Sequence, residues 1–441
     1  MRSSKVWTRI GGITIAVAIV VALASSAAAG RALFGHRAGA AGPAGRAAAG
    51  AAGRATARRG AAGMASASTA GSGAARGGAR TPAAAGPPSA RPVSAVPAAA
   101  ALPSLSSVQL AGQRVIYSYS GLTPPAALFR LIRHGDAAGV IFFGRNISSR
   151  AQIRSVISRL DQANASPLNP VREPLLLMTD QEGGAVRRLP GAPLLSEKQV
   201  GQSAHPAAAA AAAGTGAGRN LRGVGMNVNL APVLDVYRTP GNFIDQFGRS
   251  YSSHARVVSY LGKDFIKAQQ ATRVAATSKH FPGLGAATRS QNTDVRPVTL
   301  NVSLHSLRTI DEAPYPAAIA AGVRLIMVSW AVYPALDPHR PAGLSRTIVG
   351  GELRQRLGFR GVTITDALEA GALRAFGTTA NRSVLAAGAG MDLILCSGGQ
   401  VSQGSAARTA LQTAYLDGKL NKAAFTAAVQ RIIALRSSLR G

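Results

Sequence analysis

Three short segments carry residues that could do chemistry: Thr179-Asp180-Gln181-Glu182-Gly183-Gly184, Lys279-His280-Phe281-Pro282-Gly283 and Thr365-Asp366-Ala367-Leu368. Each follows a brief apolar, strand-like run, so each polar cluster stands where a buried strand emerges into a loop. Carboxylates, an ammonium and an imidazole gathered in this way can grip the hydroxyls of a sugar. One carboxylate among them can attack or stabilise an oxocarbenium-like centre. Trp330 ends a further apolar run, where its ring either stacks on a sugar face or fills the mouth of the fold.

Such side chains must be brought together by regular elements, and the chain supplies eight candidate strands in succession. These are Gln113 to Tyr119, Gly139 to Phe143, Pro174 to Thr179, Met226 to Pro232, Val274 to His280, Leu325 to Tyr333, Gly361 to Thr365 and Asp392 to Cys396. They are short β-branched or apolar runs bounded by turn residues. Helical stretches lie between them, among them Pro124 to His134, Arg150 to Gln162, Pro206 to Gly223, His254 to Ala271 and Ser345 to Leu357. Strand and helix in alternation, with strands apolar on both faces, imply a parallel sheet covered by helices. Eight such units predict an α/β fold of the closed (β/α)8 type, the TIM-type barrel, with its chemistry at the carboxyl ends of the strands. On that layout Asp180 and Glu182 follow the third strand, Asp235 the fourth, Lys279 and His280 end the fifth, Trp330 the sixth and Asp366 the seventh. Asp235 is expected to brace its loop, and Glu182 to satisfy backbone donors beneath the Gly183-Gly184 turn.

The 441 residues divide sharply by composition. Residues 1 to about 103 contain no Asp or Glu and are dominated by Ala, Gly, Pro, Ser and Arg, a mixture that cannot bury enough apolar surface to offset the entropy of ordering it. Within it, Arg2, Lys5 and Arg9 precede an uncharged apolar stretch from Ile10 to Gly30 that ends in small residues, the pattern of a secretory signal peptide. The stretch is also long enough to stay as a membrane anchor. Three parts are therefore expected: a signal peptide or anchor over 1–30, a disordered linker over 31–103, and a barrel over 104–441. The predicted location is extracytoplasmic, secreted or held at the membrane.

Formal net charge is +31. No zinc-finger spacing, aromatic RNA-binding signature or basic recognition helix accompanies it, so nucleic acid is not an expected partner. A positive surface suits anionic cell-wall polymers or a membrane surface instead. The single cysteine, Cys396, rules out an internal disulfide and is expected to be a buried small hydrophobe. The seven histidines show no metal-ligand spacing, and neither metal nor cofactor is expected. Gly214-Thr215-Gly216-Ala217-Gly218 mimics a dinucleotide loop, but polyalanine rather than a strand precedes it. It reads as a helix packed closely on its neighbour.

Seven segments, in order, give a more specific indication: Gly144-Arg145-Asn146, the Asp180 segment, Asn229-Leu230-Ala231-Pro232-Val233-Leu234-Asp235-Val236, Gly248-Arg249-Ser250, the Lys279 segment, Leu357-Gly358-Phe359-Arg360-Gly361 and the Asp366 segment. With them the chain from about Leu102 onward resembles the barrel domain of glycoside hydrolase family 3. The likeness is to its single-domain bacterial β-N-acetylglucosaminidases acting on cell-wall fragments. The resemblance implies a retaining exo-β-N-acetylhexosaminidase that frees terminal N-acetylglucosamine from such glycans, with Asp366 as nucleophile. It also implies that Asp180, Arg249, Lys279 and His280 grip the sugar, with Arg188 as a further arginine of the motif.

One part departs from that branch of the family, whose loop after the fifth strand carries an Asp and His acid/base dyad. Here Ser290 and Asn292 occupy the dyad positions, and neither transfers a proton near neutral pH. Asp294 is the nearest titratable group on the same loop, and a mobile loop could carry it over the glycosidic oxygen as acid/base. Two alternatives remain open on the sequence alone: a β-glucosidase-like or phosphorolytic enzyme on the same scaffold, and a catalytically weak carbohydrate-binding protein of the cell wall.

Overall fold

The computed structural model of the chain describes residues 104–440. The expected signal peptide or anchor and the expected linker lie outside the described residues. Eight parallel strands are present, one overlapping each expected run: β1 (Val115–Tyr117), β2 (Gly139–Ile141), β3 (Leu176–Thr179), β4 (Val228–Asn229), β5 (Ala275–Phe281), β6 (Leu325–Val328), β7 (Val362–Thr365) and β8 (Ile394–Leu395). Neighbours in sequence are neighbours in space from β1 through β7, and β8 pairs with β1. A bridge between Ile364 and Leu393 joins β7 to β8 and closes the ring. The fold is a (β/α)8 TIM-type barrel.

The strands are buried on both faces and mostly apolar, and the period of two sorts their apolar residues into separate cores. Ile116, Leu176, Met178, Val228, Leu325, Met327, Val362 and Ile364 form a cluster inside the ring. Their alternating neighbours Val115, Tyr117, Leu177, Ile326 and Val328 join the larger cluster beneath the surrounding helices. The C-terminal helix Lys422–Ser437 contributes Ile432 and Leu435 to the inner cluster. Its buried Arg436 donates to the backbone oxygens of Glu173 and Pro174, just ahead of β3. That helix covers the amino ends of the strands, leaving the carboxyl ends for a site.

The polyalanine segment is the helix Pro206–Arg222, as expected. It packs against the helix Ala255–Gln270 so closely that a Cβ on Gly214 would stand 2.3 Å from the Phe265 carbonyl oxygen, and one on Gly218 2.0 Å from Thr272 Oγ1. Two features were not expected. A small antiparallel hairpin, Gln181–Gly183 with Val186–Arg187, follows β3. A second, Val332–Tyr333 with Asp337–Pro341, lies where the sixth run was expected to remain a strand. Each takes the chain out of the ring at the carboxyl end and folds it over the rim.

Candidate active site

The turn out of β3 sets Asp180 and Glu182 beside the end of β5. Gly183 makes the turn possible: its φ is +121°, and a Cβ there would stand 2.2 Å from the Leu195 carbonyl oxygen. Lys279 is 2% exposed, and its Nζ lies 2.8 Å from Asp180 Oδ1 and 2.7 Å from Glu182 Oε1. Arg249 closes the group with two parallel bonds of 2.8 Å to the two oxygens of Glu182, the bidentate geometry that makes such pairs strong. Arg188 Nε is 3.9 Å from Asp180 Oδ2, a looser contact.

Burial by itself would raise both carboxylates, but the cations outweigh it. Arg249 and Lys279 hold Glu182 far below the ordinary carboxylate range, and Lys279 with Arg188 holds Asp180 below it. In return, burial would lower the Lys279 ammonium and the Arg249 guanidinium, and their carboxylate partners raise both. All four groups are therefore charged at neutral pH. Glu182 spends both oxygens inside the protein. This corrects the expectation that it satisfies backbone donors beneath the turn, because two buried cations are the stronger partners. Asp180 keeps one oxygen only loosely engaged.

His280 is next to Lys279 on the end of β5, joined to it by a cis peptide bond. Its Nδ1 lies 2.7 Å from Asp235 Oδ2, so it donates to that carboxylate, and Nε2 has no protein partner among the described residues. Asp235 Oδ1 accepts from the backbone of His280 at 3.2 Å and of Leu284 at 2.7 Å. Fully buried, Asp235 braces the end of β5 and the loop after it rather than its own loop, and also orients the imidazole.

Asp366 leaves the end of β7 half-buried. The Ala367 backbone N–H donates to its Oδ1 at 2.7 Å, and among the described residues it makes no ion pair. Trp330 needs correction as a sugar-stacking residue. It is 0% exposed and its Nε1 donates to the Ala367 carbonyl oxygen at 2.8 Å. A Cβ on Gly343 would stand 2.5 Å from the edge of the ring. The indole fills the space under the Asp366 turn and presents no free face, because a strand-end position fixes where a side chain starts and not which way it turns.

Asp294 shares this mouth. Hydrogen bonds tie the loop that carries it to its neighbours. Gly371 N–H donates to the Asp294 carbonyl oxygen at 2.8 Å, Ala372 N–H donates to that of Thr293 at 2.9 Å, and Asn242 Nδ2 donates to the Gly285 carbonyl oxygen at 2.7 Å. Gly371 allows the approach, since a Cβ there would stand 2.1 Å from the Val295 carbonyl oxygen. Asn292, at one of the missing dyad positions, accepts from the Asp294 backbone N–H at 2.8 Å and shapes the turn that presents it. Residue 294 is exposed at the rim of the mouth. Protein around the carboxyl nonetheless displaces enough solvent to raise its pKa, the charge of Asp366 raises it further, and it stands at about 6. Arg249 and His280 act on the same carboxyl in the opposite sense. The groups acting on it come from the loop after β4, the end of β5 and the loop after β7, all at the carboxyl ends of the strands.

Two acids that sequence reasoning missed complete the surroundings. Glu197 is buried, accepts from the Val233 backbone N–H at 2.8 Å, and is pushed well above its ordinary pKa by burial and by the nearby Glu182. Glu369 accepts from Ser397 Oγ at 2.6 Å and Gln403 Nε2 at 3.0 Å, tying the loop after β7 to the loop after β8. Only its place three residues beyond Asp366 could have signalled it. Cys396 is buried, as expected. Among the described residues no cluster of His, Cys, Asp and Glu is arranged to hold a metal ion, and no helix is long and apolar enough to cross a membrane.

Comparison with known proteins gives the following. The model of the glycosyl hydrolase family 3 N-terminal domain matches residues 107–435. A protein of Arthroderma benhamiae named an uncharacterized secreted glycosyl hydrolase is 47% identical over 330 residues, covering 75% of this chain and 93% of that one. A β-hexosaminidase of Xylella fastidiosa is 32% identical over 295 residues, covering 64% and 82%. Among solved structures, the family 3 β-N-acetylglucosaminidase of Paenibacillus sp. superposes with a TM-score of 0.71 at 35% identity, over 77% of this chain and 64% of that longer one. The β-N-acetylhexosaminidase of Beutenbergia cavernae superposes with a TM-score of 0.70 at 31% identity, over 76% and 99%.

Proposed function

The chain belongs to glycosyl hydrolase family 3, and on that footing we propose that it is a retaining exo-β-N-acetylhexosaminidase releasing terminal N-acetylglucosamine from cell-wall-derived glycans. The observation that carries the reading is Asp366 at the carboxyl end of β7, making no ion pair among the described residues, on the same rim of the barrel as the charged Asp180, Lys279 and Arg249 group. Relatives named β-hexosaminidase and β-N-acetylglucosaminidase support the sugar.

Asp180 accepts from the distal hydroxyls of the terminal sugar, with Arg249, Lys279, Arg188 and His280 Nε2 as further hydrogen-bonding groups around it. Glu182 and Arg249 hold Lys279 and Asp180 in place, which turns binding energy into orientation. Asp366 Oδ2 attacks the anomeric carbon, while the Ala367 N–H holds Oδ1 and keeps the carboxylate turned. The glycosidic bond breaks, its electron pair goes to the leaving oxygen, and Asp294 gives that oxygen a proton. Asp294, now ionised, takes a proton from water, whose oxygen attacks the glycosyl ester and frees Asp366. A pKa near 6 suits a group that must be acid in one half of the cycle and base in the other.

The N-terminal 30 residues serve export, a reading supported by the charged start and apolar stretch at Ile10 to Gly30 and by the secreted relative. The barrel over 104–441 follows a linker over 31–103, and its positive charge suits anionic cell-wall polymers or the membrane surface.

Hydrolysis of activated and unactivated N-acetylglucosaminides, with and without phosphate, tests the function. Asp366→Ala should abolish turnover of both. Asp294→Ala should slow poor leaving groups by about 10²- to 10⁴-fold, the usual worth of general acid catalysis, and activated aryl glycosides far less. Equal losses on both substrates would reject Asp294. A rate that requires phosphate would assign phosphorolysis, and no turnover of any activated sugar would leave a binding protein.

A further inference from the structure

We propose that Glu197 is a positioning residue of the sugar grip, tying the stretch after β4 that seats Lys279 to the loop that carries Arg249. This rests on the reading of Asp180, Lys279 and Arg249 as groups that hold the sugar. The need for such a residue arises in the ring itself. Beyond Asn229 the chain runs on alongside β5: Lys279 N–H donates to the Pro232 carbonyl oxygen at 3.2 Å, and Leu234 N–H to that of Lys279 at 2.7 Å. Val233 lies between these two bonds, bridged to Lys279, so its own N–H points to the opposite side, where β3 would be. However, β3 pairs with β4 only as far as Thr179 opposite Asn229 and then turns away into its hairpin. The N–H beside Lys279 is left without a strand to receive it, and Glu197 Oε1 accepts it at 2.8 Å.

The short helix that carries it, Glu197–Gly201, is capped by Ser196 and Gln199 and touches the chain on both sides of Arg249. Lys198 N–H donates to the Gly248 carbonyl oxygen at 3.1 Å, Lys198 Nζ lies 2.7 Å from Asp245 Oδ1, and a Cβ on Gly201 would stand 2.0 Å from the Tyr251 carbonyl oxygen. One side chain thus fastens the backbone beside one cation to the loop of the other, and those two cations hold Glu182 between them. Glu197 is 2% exposed, and its Oε2 has no hydrogen-bond partner among the described residues. Facing it are Glu182 from the hairpin after β3, Arg249 and Tyr251 from the loop after β4, and Lys279 from β5. Burial and Glu182 outweigh the two cations and the Val233 N–H, so the carboxyl keeps its proton where an ordinary glutamate has lost it. A neutral acid accepts from Val233 without drawing Arg249 or Lys279 away from Glu182, as a second buried carboxylate would.

The test measures KM and kcat of the full-length enzyme on N-acetyl-β-glucosaminyl fluoride, whose leaving group needs little help from an acid, together with thermal midpoints. Glu197→Leu removes the acceptor and should raise KM about tenfold or more with a much smaller change in kcat, the split expected when binding contacts are loosened. Glu197→Gln, which keeps an uncharged acceptor, should recover most of that loss. Glu197→Asp, too short to reach Val233, should behave like the leucine variant and takes its place if that protein does not fold. A lower thermal midpoint with KM unchanged would make Glu197 a structural residue only and overturn the proposal. A glutamine variant as impaired as the leucine one would overturn it too, since an uncharged acceptor would then not suffice. Failure of the unaltered enzyme to turn over the fluoride would instead remove the glycosidase reading on which the proposal stands.

Discussion

A proton donor in a retaining glycosidase must be neutral when the glycosidic bond breaks and ionised when water attacks. Asp294, raised to about 6, changes state a little below neutral pH. The sign follows from its place in the cycle. Below about 6 the protonated acid is present, and as pH rises through that value it is lost. The rate constant kcat/KM for substrates with poor leaving groups should therefore fall about tenfold per unit above pH 6, while a fluoride or nitrophenyl leaving group should show a shallower fall. Rate profiles of the enzyme and Asp294→Ala check this, since the variant should lose the pH 6 limb. At this scale the sequence was uneven. It placed Asp180, Lys279 and Asp366 at strand ends, because a backbone period of two and a terminating turn determine where a residue emerges. It missed the partners of Glu182 and left open whether Trp330 stacks on sugar or fills the mouth. Their orientation depends on Arg249, Lys279 and Gly343, which are distant in sequence and become neighbours only in the folded chain.

Elements were the most legible level. Each of the eight expected strand runs overlaps an observed strand, since residues buried on both faces leave a mostly apolar signature. The two rim hairpins escaped notice because they are polar, very short and paired through a register shift. The glycines of the helix Pro206–Arg222 show why pattern and packing must be read together. In an exposed helix Gly214→Ala would gain about 1 kcal/mol from propensity. Here the new Cβ would stand 2.3 Å from a backbone oxygen that cannot move without its helix. We expect the substitution to destabilise by about 1–3 kcal/mol, the usual cost of overpacking, measurable as a lower denaturant midpoint. Unchanged or increased stability would mean that the two helices can separate without loss.

Across the whole molecule charge is distributed unequally. All 18 acidic residues lie beyond residue 103, and the part that holds them still has more Lys and Arg than Asp and Glu. Such a surface gathers anionic polymers over the reach of the screening length, about 10 Å at 0.1 M salt. The full-length protein should sediment with vesicles containing anionic lipid, or with anionic wall polymer, at low ionic strength and be released as salt rises. Binding indifferent to salt would assign the attachment to another cause.

The indole beneath the Asp366 turn gives the molecule a built-in reporter. Only two tryptophans occur in the chain, Trp7 and Trp330, and the second donates to the carbonyl of the residue that immediately follows the proposed nucleophile. With Trp7 replaced by phenylalanine, all indole emission would originate beside the bond being made. Formation and decay of a sugar ester could then be followed in real time, without a label or a coloured substrate.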